Sequence, residues 1–409
     1  MDVNSFVIGY NKGKASAPPG IELNLHYDKT TPPEDTTKIW VKSKKPDKVV
    51  IGDGVYSSVL TEKLKNIHCE SGSAKIGGKI YAFGGIGWDG GFSRYATCFD
   101  TEAETIVNLP NVPYQDIGIG VVQFQNKLYL FGGNSSKYVY AFDAETNVYE
   151  KLEKTMTSEL GSAACEIVGS KVYFLGGCAG NFGGTKNTIY RFDIETNDFN
   201  ILEATLRQTA AAMASVAVGT KIYVFGGYYN STFQARKYAY CFDTDTETIV
   251  DIEPLPVVMG GAGCVEINGY IYIIGGNAYS SGNKAYSTVY RYDIANNKYD
   301  LMNENLSLSK PKSLAFCEEV NENIYIIGGY MPLLYDYNNP EIEILTVLPQ
   351  VKQNNLQILT DSQKTKLKII NSEALLAEIH VSDVVLGNLD GLGESVEASV
   401  YKKGEWTPI

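Results

Sequence analysis

Histidine is nearly absent, with three residues in a chain of 409, at His26, His68 and His380. None falls between residues 69 and 349, so that stretch cannot supply the imidazole ligands of a copper oxidase centre. Cysteine is sparse and scattered: seven residues, none in a Cys-x-x-Cys pair, which supports neither a disulfide framework nor a zinc cage. Arginine contributes five of the 35 basic residues and the net charge is −12, a balance that excludes a run of phosphates, and hence nucleic acid, as partner. Long apolar runs are missing too. No window approaches the roughly 20 apolar residues that cross a bilayer. Met1 to Gly20 holds no basic region followed by an apolar stretch. The expectation is synthesis in the cytoplasm without a cleaved signal and without membrane insertion.

What the chain has in plenty is tyrosine, 29 residues against 15 phenylalanines, which suits half-buried strand positions where a ring packs and a hydroxyl stays wet. It also repeats itself. Six segments read apolar, Tyr, two apolar residues, Gly-Gly: 80–85, 128–133, 172–177, 222–227, 271–276 and 324–329. Their glycine pairs are Gly84-Gly85, Gly132-Gly133, Gly176-Gly177, Gly226-Gly227, Gly275-Gly276 and Gly328-Gly329. After each comes an aromatic residue followed by Asp: 99–100, 142–143, 192–193, 242–243, 292–293 and 335–336.

Each unit reads as four strands. The first is made of small residues, as in Gly161-Ser162-Ala163-Ala164, and belongs where strands crowd around an axis. A tight turn leads to a second strand, apolar on both faces, that ends in the glycine pair. The third carries the aromatic-Asp pair. A polar turn such as Ala144-Glu145-Thr146-Asn147 leads to the fourth, with the Asp expected to hold backbone amides two residues on. Thr244-Asp245-Thr246-Glu247 lacks the glycine and terminal carboxylate of a calcium loop, so no metal is assigned. Cys165, Cys264 and Cys317 share one position of the repeat, Cys98 and Cys241 another, as small packed side chains.

The glycine pair after a hydrophobic strand, the later tyrosine and the aromatic-Asp resemble kelch repeats over about 280 of the 409 residues. The resemblance implies an all-β, six-bladed kelch-type β-propeller over residues 69–349. The family's fourth-strand Trp is replaced, the positions reading as Val107, Tyr149, Phe199, Val250, Tyr299 and Ile342. All six units run inner to outer strand, so ring closure stays open. A strand at Lys48–Ile51 or Leu356–Leu359 is a candidate to complete the sixth blade.

Residues 1–68 read as an N-terminal arm, with Pro18-Pro19 and Pro32-Pro33, and residues 350–409 as a small C-terminal β segment. The stretch 30–53 resembles segments that precede kelch modules in phage-related proteins of Gram-positive bacteria, and the ending resembles that of phage tail and prophage structural proteins. This resemblance implies a virion or tail-fibre-associated protein whose two flanks dock onto other virion or tail proteins, with a homo-oligomer as one arrangement.

A propeller hosts many functions, so function has to be argued from the site. The Ser-x-Asp-x-Gly-x-Thr-Trp boxes of sialidases are missing, and kelch proteins that epimerise sialic acid are exported. Asp89, Asp116, Glu159 and Glu166 are acids that could face the axis, but sequence does not bring two of them together for glycoside hydrolysis. No catalytic residue and no cofactor is assigned, and the chain is taken not to be an enzyme. The loops after Gly-Gly carry aromatic rings beside short polar groups, the mixture a sugar pocket uses. Their candidate ligand-binding residues are Trp88, Asp89, Asn181, Phe182, Tyr228, Tyr229, Asn230, Phe233, Asn277 and Tyr279. The expected function is receptor binding and host attachment through a cell-surface polysaccharide. Virion decoration, an intracellular interaction scaffold and a carbohydrate-active enzyme are the alternatives.

Overall fold

The computed structural model describes residues 55–347 except 65–68, 88–89, 181–183, 230–232, 279–283, 301–306 and 331–339, and in the flanks the backbone of short strands. The chain divides into a propeller unit, Val59–Thr346, and a unit built from both termini.

Six blades of four strands form the propeller, the fifth with the short strand Lys284–Ala285 added beside its second, and there is no helix among the described residues. Blade 1 runs Gly72–Ile76, Lys79–Phe83, Ala96–Asp100 and Thr105–Leu109, each strand antiparallel to the one before. Blade 2 begins at Gly120–Phe124, blade 3 at Ala164–Val168, blade 4 at Ala214–Val218 and blade 5 at Gly260–Ile267. Blade 6 pairs Phe316–Val320, Asn323–Ile327 and Glu341–Val347 with Val55–Lys63. The outer strand of the last blade therefore comes from ahead of the first; the Leu356–Leu359 candidate falls on Gln357–Asp361, a strand of another sheet, and Lys48–Ile51 lies outside the described residues. The inner strands neighbour one another in a closed cycle.

Register corrects two further expectations. The ring that packs where the family places Trp lies opposite the third-strand aromatic. Tyr149 faces Phe142, Phe199 faces Phe192 and Tyr299 faces Tyr292 as expected, but in blades 1 and 4 the residue is Ile106 opposite Phe99 and Ile249 opposite Phe242. Val107 and Val250 sit one residue on, and a one-residue step along a strand turns a side chain to the other face, here to solvent. In blade 6, Ile342 is a third-strand residue opposite Ile327. Tyr335-Asp336 lies outside the described residues, and Leu345-Thr346 holds the aromatic-Asp register of that blade.

The glycine pairs join each blade to the next, and all twelve residues have positive φ. The first donates its N–H to the start of its own third strand, as Gly226 does to Tyr238 O at 2.7 Å. The second donates across the seam: Gly85 to Asp116 O, Gly177 to Ala210 O, Gly227 to Met259 O and Gly276 to Lys312 O, at 2.8 to 3.1 Å. A Cβ on Gly226 would stand 2.3 Å from Met259 O. Gly226→Ala is expected to cost about 2 kcal/mol or more, strain from the left-handed backbone plus the clash, read as a lower denaturant midpoint with an unchanged slope; an unchanged midpoint would contradict this reading of the seam.

The Asp of the third strand does what its turn requires. Oδ1 of Asp100, Asp143, Asp193 and Asp243 accepts the N–H groups two and three residues on, and that of Asp293 accepts from Asn296. The repeat cysteines are packing residues: Cys165 lies against Gly120 and Cys317 against Gly263 of the preceding blade, where any Cβ would collide. All seven cysteines are free thiols.

In the terminal unit, Leu25–Tyr27 pairs parallel with Ile39–Val41, which pairs antiparallel with Ala398–Lys402 and through it with Glu405–Pro408. The arm and the C-terminal segment thus share one sheet. A separate three-stranded meander runs Gln357–Asp361, Lys364–Asn371 and Ala374–His380.

Candidate functional site

Second strands end, and third strands begin, at the end of the propeller where the outer-to-inner linkers also arrive. Two kinds of loop therefore share one face, and the axial channel opens among them. The channel encloses about 240 Å³.

At its mouth six residues, one per blade, all adopt left-handed backbone: Glu70, Gly118, Ser162, Ala212, Gly261 and Leu314, with φ from 50° to 63°. Each donates its N–H to the carbonyl of the one before. Gly118 bonds Glu70, Ser162 bonds Gly118, Ala212 bonds Ser162, Gly261 bonds Ala212, Leu314 bonds Gly261, and Glu70 bonds Leu314, at 2.7 to 3.1 Å. The result is a closed circle of backbone hydrogen bonds that needs positive φ at every member, four of which are not glycine. The circle fixes the pitch of the blades and satisfies amides that face a narrow channel.

Three carboxyl groups line the channel, and a serine of another blade bridges each one. Ser162 Oγ donates to Glu70 Oε1 at 2.6 Å, Ser215 Oγ to Glu166 Oε1 at 2.7 Å and Ser73 Oγ to Glu318 Oε1 at 2.7 Å. Glu166 also accepts the Ala217 N–H at 3.1 Å. Glu166 and Glu318 occupy the same inner-strand position in blades 3 and 6, opposite each other in the ring. Enclosure by the inner strands pushes Glu70 and Glu166 up to about 7 and Glu318 upward, against the lowering effect of the serine hydrogen bonds. Nearby Asp116 adds to the rise at Glu70, as does Glu318 at Glu166.

A carboxyl at about 7 when folded and near 4.5 when unfolded holds its proton only in the folded chain between those limits. Its stabilising effect is complete below 4.5 and is lost as pH rises through 7. Turn aspartates such as Asp143 are held below their usual value of 3.8 and act in the opposite sense, at lower pH. Stability is expected to fall between pH 5 and pH 8, by at most about 3 kcal/mol for each of Glu70 and Glu166. Glu166→Gln should flatten that slope in a denaturation series across pH; an unaltered slope would contradict it.

The candidate acids part company. Asp116 is fully buried and accepts the N–H groups of Ile117, Asn134 and Ser135, so it ties a linker to the loop after Gly133. Glu166 lines the channel, together with Glu70 and Glu318, which sequence reasoning missed. The five arginines do not converge. Arg94 Nε donates to Val112 O, Arg191 pairs with Glu247, Arg207 pairs with Asp251, Arg291 lies over the Tyr270 ring, and Arg236 over that of Tyr229.

Of the candidate ligand-binding residues, Trp88, Asp89, Asn181, Phe182, Asn230 and Tyr279 lie outside the described residues. Tyr228 and Asn277 are buried, and the phenol of Tyr228 donates to Asn277 Oδ1, which also accepts from Ser313 Oγ. They brace blades 4, 5 and 6 and do not belong to an exposed surface. Tyr229 and Phe233 remain as half-buried residues of a hairpin, Tyr228–Tyr229 with Gln234–Ala235, that stands on the loop face. Phe233 is held at φ 51° with its ring edge-on to Tyr228 at 5.7 Å. Among the described residues no group of three His, Cys, Asp or Glu is placed to hold a metal ion.

Fold and seam define a kelch-repeat propeller. The KLHDC2/KLHL20/DRC7 Kelch-repeats domain matches residues 118–329, just over half of the chain, and the chain belongs to that family. No protein of curated function matches it in sequence. Among solved structures it is similar to the one titled "Structure of YjhT", at 14% identity and a TM-score of 0.58 over 78% of this chain and 99% of that one. At that identity the likeness is one of fold.

Proposed function

We propose that the chain is a non-enzymatic, two-part binding protein: the loop face of the propeller holds a cell-surface glycan, and the unit formed by the two termini attaches the propeller to a larger assembly such as a phage tail or virion. The observation that carries the reading is the division of labour within the propeller. Channel carboxyls are bound to serines of other blades and hold the ring, while Tyr229, Phe233 and Arg236 stand on a hairpin beyond it. The Arg236 guanidinium over the Tyr229 ring offers donors for sugar hydroxyls next to aromatic carbon. The sheet shared by Ile39–Val41 and Ala398–Lys402 supports a docking role, since it joins both ends of the chain in one element separate from the blades.

A glycan microarray probed with the whole chain tests the binding half. Retention of a defined set of glycans, lost on Tyr229→Ala, is the expected result, and no retained glycan would overturn it. A second reading, a protein-interaction scaffold, is favoured by exposed Val107, Val148, Ile201 and Val250 on the outer strands of blades 1 to 4. It gains if the array stays blank.

A further inference from the structure

The loops that follow the glycine pairs and the turns at the opposite end of the blades differ in charge. In blades 2 to 5 those loops, residues 134–138, 178–188, 228–238 and 277–288, contain Lys137, Lys186, Arg236, Lys237 and Lys284 and no Asp or Glu. Blade 1 adds Arg94 with Asp89, and blade 6 adds Asp336. The turns from third to fourth strand in blades 1 to 5, residues 100–105, 143–148, 193–198, 243–248 and 293–298, contain twelve acids and one lysine. A chain of net charge −12 thus concentrates acids in the turns and keeps them out of most of these loops.

Arg94, Lys137 and Lys237 share one register, two residues ahead of the third-strand residue that pairs with the end of the second strand, and all three are exposed. Arg94 Nε donates to Val112 O at 2.9 Å and Lys237 Nζ to Pro256 O at 2.8 Å, each in the linker of its own blade. Neutral Asn187, at the same register of blade 3, does the same for Leu206 O at 3.3 Å, so this linker bond needs no charge. Lys186 and Arg236 sit one residue earlier, half-buried, and donate their backbone N–H groups to Gly177 O and Gly227 O at the seam. Among the described residues none of these five cations stands in an ion pair. At the turn end the lysines are neutralised, Lys79 by Asp100 at 3.7 Å and Lys221 by Asp243 at 2.6 Å. The linkers bring to the loop face Asp116, whose carboxylate is already taken by three amides, and the half-buried Glu159, three residues before Ser162 of the mouth.

We propose that the ligand of the loop face is an acidic polysaccharide, a polymer whose repeating unit carries a carboxylate or a phosphate, and that Arg94, Lys137, Lys186, Arg236 and Lys237 hold it across blades 1 to 4. The inference rests on glycan binding by the loop face and names the chemical class of that glycan. Charge makes the selection: cations without acid partners attract an anion, and acids massed at the other end repel it, so an approaching polyanion is turned toward the loops. Spacing argues for a sparse polyanion. One or two cations per blade match a polymer with one charge per sugar or per repeat, whereas a nucleic acid duplex carries a charge every ~1.7 Å and calls for a continuous basic run. Spread over four blades, individually weak contacts act together on one polymer chain without a deep pocket.

The test is a titration of the whole chain with polygalacturonate, a glucosylated poly(glycerol phosphate), uncharged dextran and polydeoxythymidylate. At least one acidic sugar polymer should bind, dextran should not, and binding should fall steeply as salt rises from about 0.05 to 0.5 M. The polymer held more tightly assigns the anion as carboxylate or phosphate. Lys137→Gln and Lys237→Gln should each weaken binding roughly two- to fivefold, the range of one exposed charge pair, and the double variant by the product of the two. Asn187 shows that the fold accepts an amide at this register. Lys79→Gln with Lys221→Gln, at the turn end, should leave binding unchanged. Native affinity for the acidic polymers in the Lys137→Gln, Lys237→Gln double variant would overturn the assignment, as would dextran bound as tightly as either of them. Retention of neutral glycans alone on the array, lost in Tyr229→Ala, would overturn the acidic class and leave the loop-face reading standing. A native chain that binds no glycan of either kind would overturn both. Tighter binding of polydeoxythymidylate than of any sugar polymer would replace the polysaccharide by a nucleic acid.

Discussion

A chain that begins at Cys69 is expected to lose the cooperative fold of the whole propeller, although it keeps every repeat visible in the sequence. The outer strand of blade 6 is Val55–Lys63, and Leu60 and the buried Leu64 pack with Phe316, Ile327 and Ile342 in one cluster. Without that strand the third strand of blade 6 becomes an open edge, and Ile342, now fully buried, meets water. Each large apolar side chain so exposed costs roughly 1.5–3 kcal/mol, and a few of them consume much of the 5–15 kcal/mol that holds a typical domain together. A ring is also less forgiving than a row of blades: with the last blade loosened, the circle of hydrogen bonds through Glu70 and Leu314 is released at the same seam. Thermal unfolding followed by circular dichroism should show a broad or missing transition for the chain starting at residue 69 and a sharp one for the full chain. Equal midpoints would contradict closure by the N-terminal strand.

Lys312→Met should be among the most destabilising single substitutions. Lys312 Nζ lies 2.9 Å from Glu343 Oε2 with both side chains out of solvent, and Glu343 further accepts the N–H and hydroxyl of Ser309 at 2.7 and 3.0 Å. Removing the cation leaves a carboxylate in a low-dielectric seam, at about 3–5 kcal/mol. Glu343 occupies the third-strand register filled by Tyr140, Tyr190, Tyr240 and Tyr290 in blades 2 to 5. Replacing both members, as Lys312→Met with Glu343→Leu, should therefore recover most of the loss, because a well-packed apolar pair pays no desolvation cost. A double-mutant cycle in denaturant measures the coupling. A double variant as unstable as Lys312→Met alone would show that packing, not the unpaired charge, sets the loss.

The legible parts of the sequence were those where the backbone leaves one residue type little choice. Gly-Gly had to be glycine because both members take positive φ and the second approaches the next blade, so six copies survived and gave the blade count. The turn aspartates were legible because a carboxylate is the short side chain that can hold two amides at once. Outer strands were harder. Their solvent side tolerates any residue, and alternation alone did not separate Ile106 from Val107, although a constant offset of six from the turn Asp, 143 to 149 and 193 to 199, would have pointed to Ile106 and Ile249. Ring closure was hidden by the divergence of the sixth repeat, where Leu345-Thr346 stands in the aromatic-Asp register.

At the site, aromatic-rich loops were visible as composition, but composition does not distinguish a buried brace from an exposed ring. Tyr228 and Asn277 carry the same residue types as a sugar pocket and are spent between blades. Glu70, Glu166 and Glu318 escaped notice as a group because they are far apart in sequence and meet only through the ring.

The most direct test of the account is a single binding titration of the array-selected glycan against two variants of the full chain, Tyr229→Ala on the loop face and Glu166→Gln in the channel. The account predicts that Tyr229→Ala weakens binding and that Glu166→Gln leaves it within about twofold, since the channel holds the ring and the face holds the ligand. Loss of binding in Glu166→Gln, with Tyr229→Ala unaffected, would contradict it and move the site into the channel.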